Sequence, residues 1–97
     1  MIPKHKRIHD PKLLKEIRTR PCLACGHSPS DAAHVKSKGS GGDDVELNLL
    51  PLCRIHHAEQ HKVGFIRFIE TNPKVRIHLF DMGWYIDAEG KLKHDKV

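Results

Sequence analysis

Two short pairs of cysteine and histidine carry the clearest chemistry in this 97-residue chain. Cys22-x-x-Cys25 comes first, and Cys53-x-x-His56 follows later in the sequence. Zinc takes four soft or borderline ligands in a tetrahedron, and a two-residue spacer lets each pair bind the metal from a single turn of chain. The spacing therefore predicts a structural zinc site formed by Cys22, Cys25, Cys53 and His56.

The alternative is that the three cysteines are merely small buried apolar residues. The composition disfavours it, because a chain of this length with 38% hydrophobic residues and few aromatic ones builds only a thin core. An odd number of cysteines also disfavours a secreted disulfide framework. We expect reduced thiolates on zinc in a soluble, cytoplasmic protein, with His27 and His57 as possible substitutes for the fourth ligand.

A second set of polar residues interlocks with the first, namely His34, Asn48, His57 and His61. His57 and His61 are four positions apart, so on a helix they share one face, as two ligands of one metal must. His56 then points in another direction and is free for the zinc. This pattern indicates a second metal site beside the zinc.

Taken together, these residues resemble the HNH nuclease family. Its ββα-metal motif (His-Me finger) has a histidine on the first strand, an asparagine in the connection or second strand, and a metal-binding histidine at the start of the helix. The run Asn48-Leu-Leu-Pro-Leu-Cys-Arg-Ile-His-His57 is similar to the zinc-supported subgroup, including small phage HNH proteins and phage recombination-enhancement nucleases. The resemblance covers about residues 21–64.

The resemblance implies a metal-dependent endonuclease that nicks or cuts DNA with little sequence specificity. His34 would be the general base, since a histidine can take a proton from water near neutral pH. His57 and His61 would hold a catalytic cation such as Mg²⁺. Asn48 would fix the loop that carries His34, although an isolated asparagine is more often an ordinary turn residue.

One position departs from the family pattern. Many members have an aspartate or histidine just before the general base as a further metal ligand, whereas this chain has Ala33. Asp43 and Asp44, in the glycine-rich loop after His34, are candidates to complete the metal's coordination, and we take Asp44 as the better one. Both could equally be solvated loop carboxylates, in which case water completes the site or activity is lost.

The charge of the chain favours a polyanionic partner. Lys and Arg total 17 against 12 Asp and Glu, a net charge of +5, so DNA is the first partner to consider. No stretch is apolar enough to span a membrane. Two other functions stay open: a zinc-stabilised nucleic-acid-binding module without catalysis, and a phage-type adaptor for a protein partner. The candidate phosphate contacts are Lys36, Lys38, Arg54 and Lys62. The sequence does not distinguish them from generic surface charge.

The sequence also predicts the elements that position these residues. They form an α+β fold in a single domain, 1–97, with a ββα-metal core that is stabilised by a structural zinc. Segment 1–20 is basic and contains a helix capped by Asp10 with Pro11 at its first position. Segment 72–97 adds a helix ended by Gly83 and a terminal β-hairpin that includes Trp84. Segment 21–71 holds the zinc knuckle, strands over 31–35 and 45–52, and a helix over 53–71 bent at Gly64.

Overall fold

The computed structural model describes residues 7–97 and shows a mixed α+β fold, as the sequence predicts. Lys4 and Lys6 of the predicted basic segment lie outside the described residues. Within the described part, four helices accompany two small antiparallel sheets. They are α1 (Pro11–Thr19), β1 (Asp31–His34), β2 (Leu49–Leu52), α2 (Arg54–Val63), α3 (Phe65–Thr71), α4 (Pro73–Asp81), β3 (Tyr85–Ile86) and β4 (Leu92–Lys93).

Helix α1 begins as its sequence predicts. The Leu13 backbone N–H donates to the Asp10 carboxylate over 3.1 Å, so Asp10 caps the helix, and Pro11 occupies the first turn where no N–H is needed. One face of the helix buries Leu14 and Ile17 against Leu49 of β2. Burial of this face holds α1 against the first sheet.

Strands β1 and β2 form an antiparallel pair in which Asp31 lies opposite Leu52 and His34 opposite Leu49. The second strand is shorter than the predicted 45–52, because the chain makes a 3₁₀ turn over Glu46–Asn48 before it extends. It ends at Leu52, the predicted last residue. The Pro51 carbonyl accepts a hydrogen bond from Leu23 N–H over 3.0 Å, which places the zinc-knuckle segment beside β2.

The helix predicted over 53–71 is two helices. Gly64 has φ +83°, a left-handed conformation that side chains disfavour, and it separates α2 from α3. Breaking the helix here lets Phe68 and Ile69 of α3 enter the main core. Helix α2 keeps contacts with both strands of the first sheet, so a hairpin followed by a helix forms the centre of the chain.

The C-terminal part matches its prediction in outline. Helix α4 is followed by Gly83 at φ +98° and then by the β3–β4 hairpin. Trp84 is 4% exposed and its indole N–H donates to the Leu47 carbonyl over 2.7 Å, so it belongs to the core and is not a surface for stacking bases. Within residues 7–97, no helix has the length and apolar character needed to cross a membrane.

Candidate functional site

Four sulfur and nitrogen atoms converge where the first pair of motif residues meets the start of α2. The ligand atoms of Cys22, Cys25, Cys53 and His56 all lie within 4.8 Å of one another. The Cys25 and Cys53 sulfurs are 3.8 Å apart, and His56 Nδ1 lies 3.2 Å from the Cys53 sulfur. Ligands about 2.3 Å from a tetrahedral zinc are about 3.8 Å apart. This cluster could therefore hold a metal ion such as zinc.

The backbone of the knuckle favours the thiolate form of Cys22. Gly26, at φ +78°, lets the chain turn so that its N–H donates to the Cys22 carbonyl over 2.7 Å. Burial acts to raise the pKa of Cys22, but backbone hydrogen bonds at Cys53, Cys25 and Ala24 outweigh it and lower that pKa. The thiolate is the form that binds metal.

Neither proposed substitute lies in this cluster. His27 is exposed, and only its backbone carbonyl turns inward, accepting the Cys22 N–H over 2.9 Å. His57 points to the other side of α2, toward Asp31 and His61. Among the described residues, His56 is the histidine that completes the set.

A separate cavity of about 400 Å³ lies between the first hairpin, formed by β1 and β2, and helix α2. His34 lines it from the end of β1, while His57 and His61 line it from α2. The Nε2 atoms of His57 and His61 are 3.1 Å apart, as expected for residues one turn apart on a helix. The structure thus brings together three of the predicted site residues from two different elements.

Asp31 supports the helix side of the cavity. One of its carboxylate oxygens lies 3.0 Å from His57 Nδ1 and 3.3 Å from the Arg54 Nε atom. The hydrogen bond with His57 is the largest cause of a lowered pKa at Asp31. Because a carboxylate only accepts, a neutral His57 carries its hydrogen on Nδ1 and has its lone pair on Nε2, and a lone pair of this kind can bind a metal.

Asp44 supports the hairpin side of the cavity. Its side chain is fully buried, and its Oδ1 atom lies 2.7 Å from His34 Nε2. The same carboxylate accepts hydrogen bonds from Arg7 and from the backbone N–H of Asp10. Asp44 therefore does not lie open to the cavity as the predicted metal ligand would, because its oxygens are engaged behind the histidine.

Asn48 holds the loop between the two sides. It is fully buried, its Oδ1 accepts the Lys36 N–H over 2.7 Å, and its Nδ2 donates to the carbonyls of Lys36 and Asp43. These bonds tie residues directly after β1 to residues just before Asp44. An asparagine offers both a donor and an acceptor here, which a carboxylate or an aliphatic side chain cannot.

Comparison with known proteins decides the family. A family model described as "Putative HNHc nuclease" matches residues 7–83, which is most of the chain. The chain belongs to the HNH nuclease family. The resemblance seen in His34, Asn48 and His57 is thereby confirmed at the level of the family.

Other comparisons add less about this HNH family member. It is similar to a protein named "Uncharacterized protein YdfU" from Escherichia coli strain K12, with 38% identity over 63 residues. The matched stretch covers 62% of this chain but only 18% of that relative, less than a fifth of its length. No solved structure gives a significant match.

The predicted phosphate contacts of this HNH family member lie in different settings. Lys38 lines the cavity. Lys36 and Lys62 are exposed, and each is close in sequence to a residue that lines the cavity. Arg54 is 89% exposed at its side chain and is paired with Asp31. Of these four residues, Lys38 is therefore the one that the structure places on the cavity wall.

Sequence reasoning did not single out Asp31, and it placed Asp44 at a metal instead of beside His34. Asp31 starts a strand, and its neighbour His57 becomes visible only once the strand register and the helix are known. Asp44 reaches His34 because Gly42 lets the loop fold back, since a Cβ at Gly42 would overlap the Lys36 carbonyl oxygen. The Gly-Gly-Asp-Asp run was the available signal for a tight return of the chain.

Proposed function

We propose that this chain is a divalent-cation-dependent endonuclease that hydrolyses phosphodiester bonds of DNA, with β1, β2 and α2 as a ββα-metal core. The observation that carries the proposal is the shared cavity. His34 faces it from the hairpin and the His57–His61 pair faces it from the helix. A proton acceptor and a cation site that line one cavity suit the metal-assisted hydrolysis of a phosphodiester.

His57 and His61 would hold the catalytic cation. Their Nε2 atoms are 3.1 Å apart, which fits two nitrogens bound to one ion at about 2.1 Å each. Asp31 keeps the His57 ring in the tautomer that leaves Nε2 unprotonated. The cation, when bound, would stabilise negative charge that grows on the scissile phosphate and on the leaving 3′-oxygen.

His34 would act as the general base. The attacking water forms a bond from its oxygen to phosphorus and gives one proton to His34, while the bond from phosphorus to the 3′-oxygen breaks. The leaving oxygen takes a proton from solvent, and His34 later returns its proton to solvent. The products are a 5′-phosphate end and a 3′-hydroxyl end.

DNA is the proposed substrate because the chain is basic and the cavity is open to a backbone phosphate. The net charge is +5, and Lys38 stands on the cavity wall next to the site where a phosphate would lie. Contacts with phosphates hold a nucleic acid without reading its bases. We therefore propose cleavage with little sequence specificity.

The test is a supercoiled-plasmid cleavage assay with zinc-loaded protein, with and without added Mg²⁺ or Mn²⁺. Wild type should nick the plasmid only when the cation is added, and His34→Ala should lose cleavage while still binding DNA. His78→Gln is the matched control, since it changes a histidine on α4, away from the cavity lining. RNA of matched length is tested beside DNA, because phosphate contacts alone do not distinguish the two.

The other outcomes are equally informative. DNA binding without cleavage by zinc-loaded wild type under any cation would replace the nuclease with a nucleic-acid-binding module, the alternative that Ala33 keeps open. Binding of neither nucleic acid would favour the adaptor instead. Equal cleavage by wild type and His34→Ala would remove the general-base role from His34.

A further inference from the structure

The fully buried carboxylate of Asp44 lies directly behind the ring of His34, at 2.7 Å from its Nε2 atom. We propose that Asp44 is a positioning residue that fixes the tautomer and the orientation of His34 and balances the charge that His34 gains as it takes a proton. This inference rests on the proposed role of His34 as the general base. It gives Asp44 a part in the reaction without contact with either the substrate or the cation.

The carboxylate is held from several directions, so it cannot turn away from His34. Oδ1 accepts from His34 and from Arg7 Nη1 at 3.1 Å. Oδ2 accepts the Asp10 N–H at 2.9 Å and lies 3.0 Å from His9 Nδ1. Each oxygen thus has two partners, and all but His34 come from the segment just before α1.

The chemistry of a carboxylate determines the tautomer of its partner. An ionised carboxylate can only accept hydrogen bonds, so the hydrogen of neutral His34 must reside on Nε2. Nδ1 then carries the free lone pair, and His34 would accept a proton at this atom. The His34 side chain is 10% exposed and lines the cavity, so its ring is packed in place on the wall of the candidate site.

Asp44 carries its negative charge at neutral pH. Burial acts to raise its pKa, but hydrogen bonds from His34, the Asp10 N–H and Arg7 outweigh burial and hold that pKa well below its usual range. A negative charge 2.7 Å from Nε2 favours the imidazolium that forms when His34 accepts a proton. Preorganised charge of this kind lowers a barrier without rearrangement during the reaction.

The loop is built to deliver the carboxylate to this point. Gly42 N–H donates to the Ser37 carbonyl over 2.9 Å, and Asn48 Nδ2 donates to the Asp43 carbonyl over 2.9 Å. Asn48 thus holds the residue next to Asp44 as well as the residues after His34. Asn48 and Asp44, both buried, therefore fix the two ends of the loop that joins His34 to Asp44.

The test compares Asp44→Asn with His9→Gln. Asparagine keeps the shape of the side chain but removes the charge, and its amide can donate or accept, so it no longer imposes one tautomer. We expect kcat to fall about 10- to 100-fold with KM for DNA unchanged and zinc retained. His9→Gln alters an exposed partner of the same carboxylate and should change kcat by about twofold at most.

A spectroscopic signature separates positioning from mere stability. Nitrogen-15 NMR of the wild type should show neutral His34 protonated at Nε2, and Asp44→Asn should show a mixture of tautomers. Protonation at Nδ1 in the wild type would overturn the proposal, and this measurement does not depend on whether any variant folds. Full activity in Asp44→Asn would overturn it as well.

Failure of this proposal is distinct from failure of the nuclease assignment. A wild type that cleaves and a dead His34→Ala, together with a fully active Asp44→Asn, would leave the nuclease in place and remove only Asp44. A wild type that never cleaves would remove the nuclease, and the positioning role with it. A loss of activity in His9→Gln as large as in Asp44→Asn would assign the effect to the stability of the N-terminal segment.

Discussion

The Cys22–Cys25–Cys53–His56 cluster and the cavity, on different faces of α2, differ in how completely the protein could surround a metal. At the cluster, four ligand atoms lie within 4.8 Å of one another and could form a closed set around one metal. At the cavity, three histidines line an open space, with the carboxylate of Asp31 behind His57 and that of Asp44 behind His34. Closed sets are typical of structural metal sites, whereas catalytic sites leave positions for water and substrate.

Adjacent residues of one helical turn serve these two regions. His56 turns toward the cysteines and His57 toward the cavity, because successive side chains on a helix point about 100° apart. The start of α2 therefore contributes one histidine to the cluster and the next histidine to the cavity. A structural zinc at this point would hold the catalytic histidines at a defined distance from His34.

The largest expected effect comes from opening the closed set. Cys53→Ser should abolish zinc binding and cooperative unfolding, because structural zinc contributes about 10–16 kcal/mol of apparent binding energy, comparable with the whole stability of a domain. Zinc analysis and thermal melts by circular dichroism measure the result. His27→Ala is the matched control and should keep both zinc and the melting transition. A folded Cys53→Ser protein would show that the cluster is not structural.

The next effect should be confined to the open region. His57→Ala and His61→Ala should each lower cleavage by about 10²- to 10³-fold, since a catalytic cation contributes several kcal/mol to transition-state stabilisation. Zinc content and melting temperature should stay at the wild-type values. Loss of zinc from His57→Ala would place that residue in the closed set and contradict the division into two regions.

Local spacing explains why the cluster of three cysteines and His56 could be predicted. Cys22 and Cys25 share one loop, and Cys53 and His56 share the first turn of α2, so each pair is already close in sequence. The same holds for His57 and His61 on one helix face. A metal or a helix turn converts such short spacings into geometry without information about the rest of the fold.

The carboxylates could not be predicted in this way, because their positions depend on register and loop closure. Asp31 meets His57 only because β1 pairs with β2 just before α2 begins. Asp44 meets His34 because a glycine-rich loop folds back and the segment before α1 covers it. The sequence made Asp44 a candidate metal ligand. Its place behind His34 depends on contacts with Arg7 and Asp10, which the sequence alone does not reveal.

A smaller effect should follow from weakening the support behind a cavity histidine. Asp31→Asn should lower the affinity for the divalent cation about 10- to 100-fold, as is usual when the partner of a metal-binding histidine is removed. The cation dependence of the cleavage rate measures this affinity. Glu59→Gln makes the same charge change at an exposed position of α2 and serves as control. An unchanged cation dependence in Asp31→Asn would show that His57 needs no such partner.

The smallest effect concerns how DNA approaches the open region. Lys38→Ala, made in the His34→Ala background so that no DNA is hydrolysed, should weaken DNA binding and lower the slope of log K against log salt by about 0.9, the value for one lost phosphate contact. Lys74→Ala removes the same charge from α4 and should leave the slope unchanged if DNA lies over the cavity. Because net charge falls equally in the two variants, a difference between them reports position alone. Equal slopes would mean that the +5 charge attracts DNA without directing it to the cavity, and the binding face would then have to be sought elsewhere on the chain.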